Sequence, residues 1–256
     1  MKLGVSFNAF SGLELLEPAI NSISPHVEFI NVVCQRTSNT HREKEGVLEL
    51  VKDLYLCELI DAYAEFVPDQ IQPKQNETNK RNLGLEICKA HKCTHFMTMD
   101  VDEFYLGDDI DYAKSLIMDV GFETTACQMQ TYYKTPEYRV KPPEEYYVPL
   151  ISKIDDRRFV KGMSWPVLAD PSRKLTPNKF YAFKRNEIEM HHMSYVREDI
   201  RDKLFNSSSS VNYGSRLEEI AKHHDNWKYP ELAYLGGSSK RLMNVERCEN
   251  LFDILF

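Results

Sequence analysis

Thr94-His95-Phe96-Met97-Thr98-Met99-Asp100-Val101-Asp102-Glu103-Phe104 decides how this chain is read. A mostly apolar run of strand character stops abruptly at three acidic residues. Side chains alternate along a strand, so Asp100 and Asp102 are expected on one side of its fraying end, close enough to share a divalent ion. In an open α/β sheet, ligands gather beyond the carboxyl ends of the strands. The placement therefore points to a cation and the diphosphate it carries.

The segments before this stretch alternate between two periodicities. Residues 3–7 read as a short strand, 13–22 as a helix after the Ser11-Gly12 turn, and 27–34 as a second strand with β-branched residues at its centre. Residues 43–55 have helical spacing, 64–67 form a short strand closed by Pro68-Asp69, and 78–91 are an amphipathic helix leading into the acidic strand. Three and a half βα units imply a mostly parallel central sheet flanked by helices. Beyond residue 109 the periodicity weakens. Residues 124–133, 146–154, 178–183 and 187–194 read as strands of an antiparallel or mixed half, with a Pro- and Glu-rich connection through Pro142-Pro143. Residues 197–205 read as a helix and 206–210 as a polar loop.

With 256 residues, 42% hydrophobic and 11% aromatic, the chain can build one domain with an ordinary core. A formal charge of -7 gives no general attraction to nucleic acid. The six cysteines (Cys34, Cys57, Cys88, Cys93, Cys127, Cys248) lack the paired spacings of a zinc module and are expected as reduced thiols. No apolar run approaches the roughly 20 residues of a membrane span, and no charged leader precedes the first strand. A soluble, cytoplasmic protein is the expectation.

Spacing tests the rivals for the acidic cluster. A calcium EF-hand loop needs Gly at its sixth position, where counting from Asp100 gives Tyr105, with the glycine late at Gly107. A phosphatase with an aspartyl nucleophile would place the motif on the first strand and follow it with Thr or Val rather than Phe104. A solvated loop or a set of helix-capping acids is the bland alternative. Two other segments shift the balance. Lys80-Arg81-Asn82 lies on the helix before the acidic strand, where cations and an amide could meet phosphate oxygens, although an exposed helix face would look the same. Met190-His191-His192-Met193-Ser194-Tyr195-Val196-Arg197 offers imidazole, a good further ligand for manganese, although either histidine alone is more often a packed residue.

In this order the three segments resemble the metal-dependent glycosyltransferases of the A-type fold, particularly those related to family 2. His192-Met193-Ser194-Tyr195-Val196-Arg197, followed by Lys203, is similar to the family's His-x-Gly-Tyr-Val-Arg segment, with Ser194 in place of Gly. That register selects His192 over His191. The resemblance covers residues 2–205 and implies a single Rossmann-like α/β domain over 1–256. Its parts are a nucleotide-sugar-binding half (1–109), a mixed or antiparallel acceptor-side half with the metal-ligand histidine (110–205), and a helical C-terminal extension (206–256).

The same resemblance implies transfer of a sugar from a nucleotide-diphosphate sugar to a hydroxyl of a glycan or other acceptor, with Mn2+ or Mg2+. Asp100, Asp102 and His192 are the expected metal ligands, with Asp100 also facing the ribose. Lys80 or Arg81 would neutralise phosphate, and Phe7 and Asn8 would line the base. Relatives often end the second strand in an acid, whereas this chain has Cys34-Gln35-Arg36-Thr37, which leaves the base open. For the catalytic base, Asp170, Glu144 and Glu145 are candidates, with Asp170 preferred because it follows the apolar loop Trp165-Pro166-Val167-Leu168-Ala169. The Asp170-Pro171-Ser172 turn explains that aspartate equally well. The Tyr132-Tyr133 and Tyr146-Tyr147 pairs are candidate acceptor platforms. A nucleotidyltransferase is the alternative enzyme, though Phe10-Ser11-Gly12 lacks its glycine-rich basic loop. A catalytically silent sugar-nucleotide-binding domain is the alternative outside enzymes.

Overall fold

The computed structural model describes residues 1–69, 72–207, 210, 214–236 and 241–255. At its centre β1 (Leu3–Ala9) is buried at every position, as is β2 (Phe29–Cys34) beside it. Strands covered on both faces need continuous apolar runs, which is what the two segments supply. Between them runs α1 (Leu16–Ile23), and after them come α2 (Val47–Leu56), β3 (Ala62–Glu65), α3 (Pro73–Ala90) and β4 (His95–Asp100). The four strands are parallel in the order β3-β2-β1-β4. The chain therefore builds outward from β1 to β3 and then returns to the other side of β1. That reversal opens a crevice at the strands' carboxyl ends, where Asn8 stands in register with Asp100.

Helix α3 approaches the sheet closely because residue 84 has no side chain. A Cβ on Gly84 would lie 2.0 Å from Ser6 Oγ and 2.7 Å from Ser6 Cβ. The tight docking buries Asn76, Lys80 and Arg81 on the face turned to the crevice.

The second half extends the sheet. Its elements are β5 (Glu103–Phe104), α4 (Gly107–Val120), β6 (Thr124–Tyr133), β7 (Thr135–Lys141), β8 (Tyr147–Lys153), β9 (Phe180–Ala182), β10 (Glu189–Tyr195), α5 (Ile200–Asn206), α6 (Leu217–Asn226), β11 (Ala233–Leu235) and β12 (Arg241–Arg247). Antiparallel pairing carries the sheet from β4 through β8, β6, β7 and β12 to β11. Strand β10 runs parallel to β6 and antiparallel to the short β5, which sets His192 opposite Glu103. That pairing brings residues about ninety positions apart to one crevice.

The mixed α/β architecture is the one expected, with differences at particular elements. Helix α4 and strand β7 fall where the sequence pattern gave no element. The C-terminal segment, expected to be helical, has among the described residues the helix α6 followed by the strands β11 and β12. β12 adds to the sheet edge at β7, where Val245 opposes Val140. Of the expected loop 206–210, residues 208 and 209 lie outside the described residues. All six cysteines are free, and among the described residues no helix is long and apolar enough to cross a membrane.

Candidate functional site

Strand β4 ends at Asp100, and Val101-Asp102 form a turn before β5. Strand alternation therefore stops two residues short of aligning the two aspartates, and their carboxylates go to different cations. Asp100 accepts from Arg81 Nη2 at 3.1 Å and from Arg173 Nη2. Burial pushes its carboxyl up, but Arg173 and Arg81 outweigh that and hold it well below the usual range. Asp102 Oδ2 accepts from Arg197 Nη2 and from Lys203 Nζ at 2.8 Å. Burial again raises the carboxyl, and Lys203 and Arg197 bring it far below its ordinary value. Met193 N–H donates to the Asp102 carbonyl at 2.8 Å, which ties the turn to β10.

Arg173 is the hub that the sequence pattern did not reveal. Its guanidinium is buried, binds both carboxylate oxygens of Glu103 and also reaches Asp100. Glu103 holds a further bond from the Asp100 N–H at 3.2 Å. Arg197 depends on Gly12 at the β1–α1 turn, where φ is +71° and a Cβ would fall 1.0 Å from Arg197 Nη1. Only a residue without a side chain leaves that guanidinium its place.

The histidines separate cleanly. His191 is in the core, its Nδ1 2.8 Å from Tyr132 OH, and burial lowers its pKa to about 4. His192 faces the crevice with Nε2 3.8 Å from Asp102 Oδ2. Burial lowers its pKa against the pull of Asp102, which favours the neutral imidazole.

Two adjoining hollows form one cleft. The first, about 120 Å³, lies between the ends of β1 and β2, α3 and α5, and is lined by Asn8, Phe10, Gln35, Lys80, Asp102 and Lys203 among others. The second shares Arg81, Asp100 and Lys203 with it and adds Lys74, Tyr146, Asp170, Arg173 and His192. Lys80 has no carboxylate within 4 Å among the described residues, and burial lowers its pKa to about 8 despite nearby Asp100. Arg81 is committed to Asp100 and Thr98. Of the two expected phosphate-facing cations, Lys80 is thus the available one.

Asp170 lines the second hollow, with Oδ1 held by Ser172 N and Oγ and Oδ2 3.2 Å from Lys74 Nζ. Burial raises its carboxyl, and Lys74 and Arg173 bring it down to about 2. Glu144 is tied to Thr131 and Arg241, and Glu145 is exposed outside both hollows.

Several expected roles are corrected. Phe7 does not line the base: it is wholly buried in the main core, on the opposite face of β1 from Asn8. Tyr132 and Tyr133 are core as well, and Trp165 is spent on Leu175 O and the edge of Phe180, whereas Tyr146 does reach the cleft. Among the described residues no group of three or more His, Cys, Asp or Glu side chains is arranged to hold a metal ion. The expected trio loses Asp100, whose carboxylate the buried guanidinia of Arg81 and Arg173 claim. Of the expected ligands, Asp102 and His192 remain together, a carboxylate 3.8 Å from an imidazole nitrogen, a donor set of the kind a divalent cation takes, with the Lys203 ammonium resting on the same carboxylate oxygen.

Fold and site together define an α/β protein with a charged cleft at its strand-order reversal. No family model and no curated protein matches the sequence. Among solved structures the chain is similar to S. aureus TarS, at 11% identity and TM-score 0.48, over 88% of this chain and 42% of that one. It is similar to TarS 1-349 in complex with UDP-GlcNAc at 14% identity and TM-score 0.44, over 88% and 70%. The Mycobacterium tuberculosis glucosyl-3-phosphoglycerate synthase, in complex with Mn2+, UDP and glucosyl-3-phosphoglycerate, gives 13% identity and TM-score 0.32, over 50% and 44%. The chain thus spans under half the length of the longer TarS chain.

Proposed function

We propose that this chain transfers a sugar from a nucleotide-diphosphate sugar to an acceptor hydroxyl. The observation that carries it is the meeting of Lys80, Lys203 and Arg197 with Asp102 and His192 in one cleft at the strand-order reversal. Asp102 and His192 would hold a divalent cation such as Mn2+ or Mg2+, which supplies charge stabilisation to the departing diphosphate. Lys80 and Lys203 offer further positive charge to phosphate oxygens.

Asp170 is placed to receive the acceptor hydroxyl's proton at Oδ2, where Lys74 now donates. Its carboxyl, at about 2, stays ionised across the neutral range, and it would take the proton only as the new C–O bond forms, the sugar–phosphate bond breaks and Lys74 gives way. Tyr146 walls the same hollow and can pack against a sugar ring. Arg173 orients Asp100 and Glu103 and so fixes the floor between the two hollows.

The test is thermal-shift and calorimetric binding with a panel of nucleotide sugars, with and without Mn2+, followed by assay for donor hydrolysis. Bound donors raise the apparent stability of the native chain. A protein that neither binds nor hydrolyses any donor in the presence of the metal would end the proposal. Asp170→Asn is expected to lower turnover about 100-fold or more while donor affinity persists.

A further inference from the structure

Lys74, on the first turn of α3, stands between two carboxylates and is hydrogen-bonded to one of them. Its Nζ donates to Asp170 Oδ2 at 3.2 Å. The same ammonium lies 3.0 Å from Glu77 Oε2, three residues further along the helix, yet that oxygen is buried with no hydrogen bond among the described residues. Buried acceptors are rarely left so, and a turn of the ammonium would satisfy this one. Both acids line the second hollow. Asp170 is held fast, since Ser172 N and Oγ donate to its Oδ1 at 2.7 and 2.5 Å and the Arg173 N–H donates to its carbonyl at 3.2 Å. The lysine, on a flexible stem and partly exposed, is the member of the group that can move.

A carboxylate that carries an ammonium and two further donors is a poor base. Burial raises the Asp170 carboxyl, and Lys74, ahead of Arg173, brings it down to about 2. Moving the ammonium to Glu77 makes Asp170 more basic and leaves no charge unpaired. Once Asp170 has taken a proton the move is favoured, because Glu77 is then the remaining anion of the two. We infer that Lys74 is a positioning residue with two seats, on Asp170 in the resting cleft and on Glu77 during transfer, and that it guards the sugar donor against water. The inference rests on the glycosyl transfer proposed above and adds control of its base. An acceptor that fills the hollow takes the space beside Asp170 Oδ2 and drives the ammonium to Glu77, whereas a single water fits without that move. In the reaction held back, a water oxygen bonds to the anomeric carbon, the sugar–phosphate bond breaks with its electron pair going to the diphosphate, and the water's proton goes to Asp170 Oδ2.

The experiment uses the full chain in Mn2+ with UDP-glucose, UDP-N-acetylglucosamine and GDP-mannose and no acceptor, with calorimetry for donor affinity and release of free sugar for hydrolysis. Lys74→Met is expected to hydrolyse a bound donor about tenfold faster than the unaltered chain, and Asp170→Asn added to it should abolish the gain. Lys74→Arg, which keeps a cation on Asp170, should stay about tenfold below Lys74→Met. Removing the ammonium also lifts the Asp170 carboxyl towards its ordinary range, so the acid side of the hydrolysis profile is expected at higher pH in Lys74→Met than in Lys74→Arg. Donor affinity like that of the unaltered chain shows that a variant is folded, and Lys74→Ala replaces Lys74→Met if the latter fails this check. In crystals of Asp170→Asn, a neutral stand-in for the protonated base, Lys74 is expected on Glu77 Oε2. An ammonium still on residue 170 would overturn the second seat. Hydrolysis no faster in Lys74→Met, a gain that persists without Asp170, or equal rates and profiles in Lys74→Met and Lys74→Arg would overturn the guard while donor binding leaves the transfer function standing. If the unaltered chain binds none of the donors, the transfer function fails and the guard falls with it.

Discussion

Asp102→Asn is expected to damage the fold as well as the proposed chemistry. A metal ligand on an open turn could be replaced at no structural cost, but Asp102 is 2% exposed and is the counter-ion of a guanidinium that is itself buried. Apart from Asp102, the acceptor that Arg197 has among the described residues is the Ser194 carbonyl at 3.5 Å, and its Nη1 has no hydrogen bond there even with Asp102 present. Breaking a buried pair from one side costs about 3–5 kcal/mol. Native stabilities run at about 5–15 kcal/mol, so about a fifth or more is at stake. Arg197→Met should cost less, because Lys203 remains on the same carboxylate oxygen at 2.8 Å. The double variant, with both charges gone, should lose clearly less than the sum of the singles, since neither group is then left uncompensated. Urea unfolding followed by circular dichroism at pH 7 measures all three. At that pH the Asp102 contribution is fully present, because a carboxyl depressed by folding loses its stabilisation only as pH falls below the ordinary value and through the folded one. A loss under about 1 kcal/mol for Asp102→Asn, or simple additivity in the double variant, would refute a buried and mutually dependent pair.

Acid should weaken the fold in the window from about pH 6.5 down to about 4. Burial lowers both His191 and His224 to about 4, so the unfolded chain takes up protons there that the folded one refuses. Each costs up to about 3 kcal/mol at the bottom of the window, and a flat urea midpoint from pH 7 to pH 4.5 would contradict it. Gly84→Ala should destabilise by about 1–3 kcal/mol, because its Cβ meets Ser6 and α3 must lift from β1, and an unchanged thermal midpoint would count against that docking. Lys80→Gln should weaken pyrophosphate binding about tenfold with little change in stability, since the Lys80 ammonium has no carboxylate partner to abandon. Equal affinity in titration calorimetry would remove Lys80 from the site.

The four-stranded parallel half was legible because it follows from local rules. Buried strands require apolar runs, and the residues 3–7 and 27–34 have them. Helix α4 was hidden by its acidic first turn, Asp108-Asp109, and by apolar residues such as Met118 and Val120 that point to solvent and blur the pattern. Strand β7 was masked by Pro136 and by charged residues, which sit there because only part of the strand is covered. In the site, His192 was separable from His191 only through the motif register, and β10 pairing with β5 supplies the physical reason: adjacent strand residues face opposite ways. Arg173 carried no signal at all. It lies in an irregular segment, and its importance comes from two carboxylates seventy or more positions away.

That last point changes what the acidic stretch does. Read linearly, Asp100, Asp102 and Glu103 are a concentration of negative charge in a chain whose net charge is -7. In the folded cleft they are outnumbered: five carboxylates (Glu77, Asp100, Asp102, Glu103, Asp170) stand among six cations (Lys74, Lys80, Arg81, Arg173, Arg197, Lys203). Five of the six, all but Lys80, are held at fixed positions by these acids in a buried setting where unpaired ammonium and guanidinium groups are costly to keep. A diphosphate entering such a cleft meets positive charge that is already desolvated and oriented, so little reorganisation remains to be done as negative charge grows on it. The same arrangement explains why Asp100 is a structural anchor and Asp102 a shared one. The aspartate with two buried arginines has no freedom to take another cation, whereas the one holding buried Arg197 and the partly exposed Lys203 would, on the proposed function, exchange that ammonium for a divalent ion beside His192.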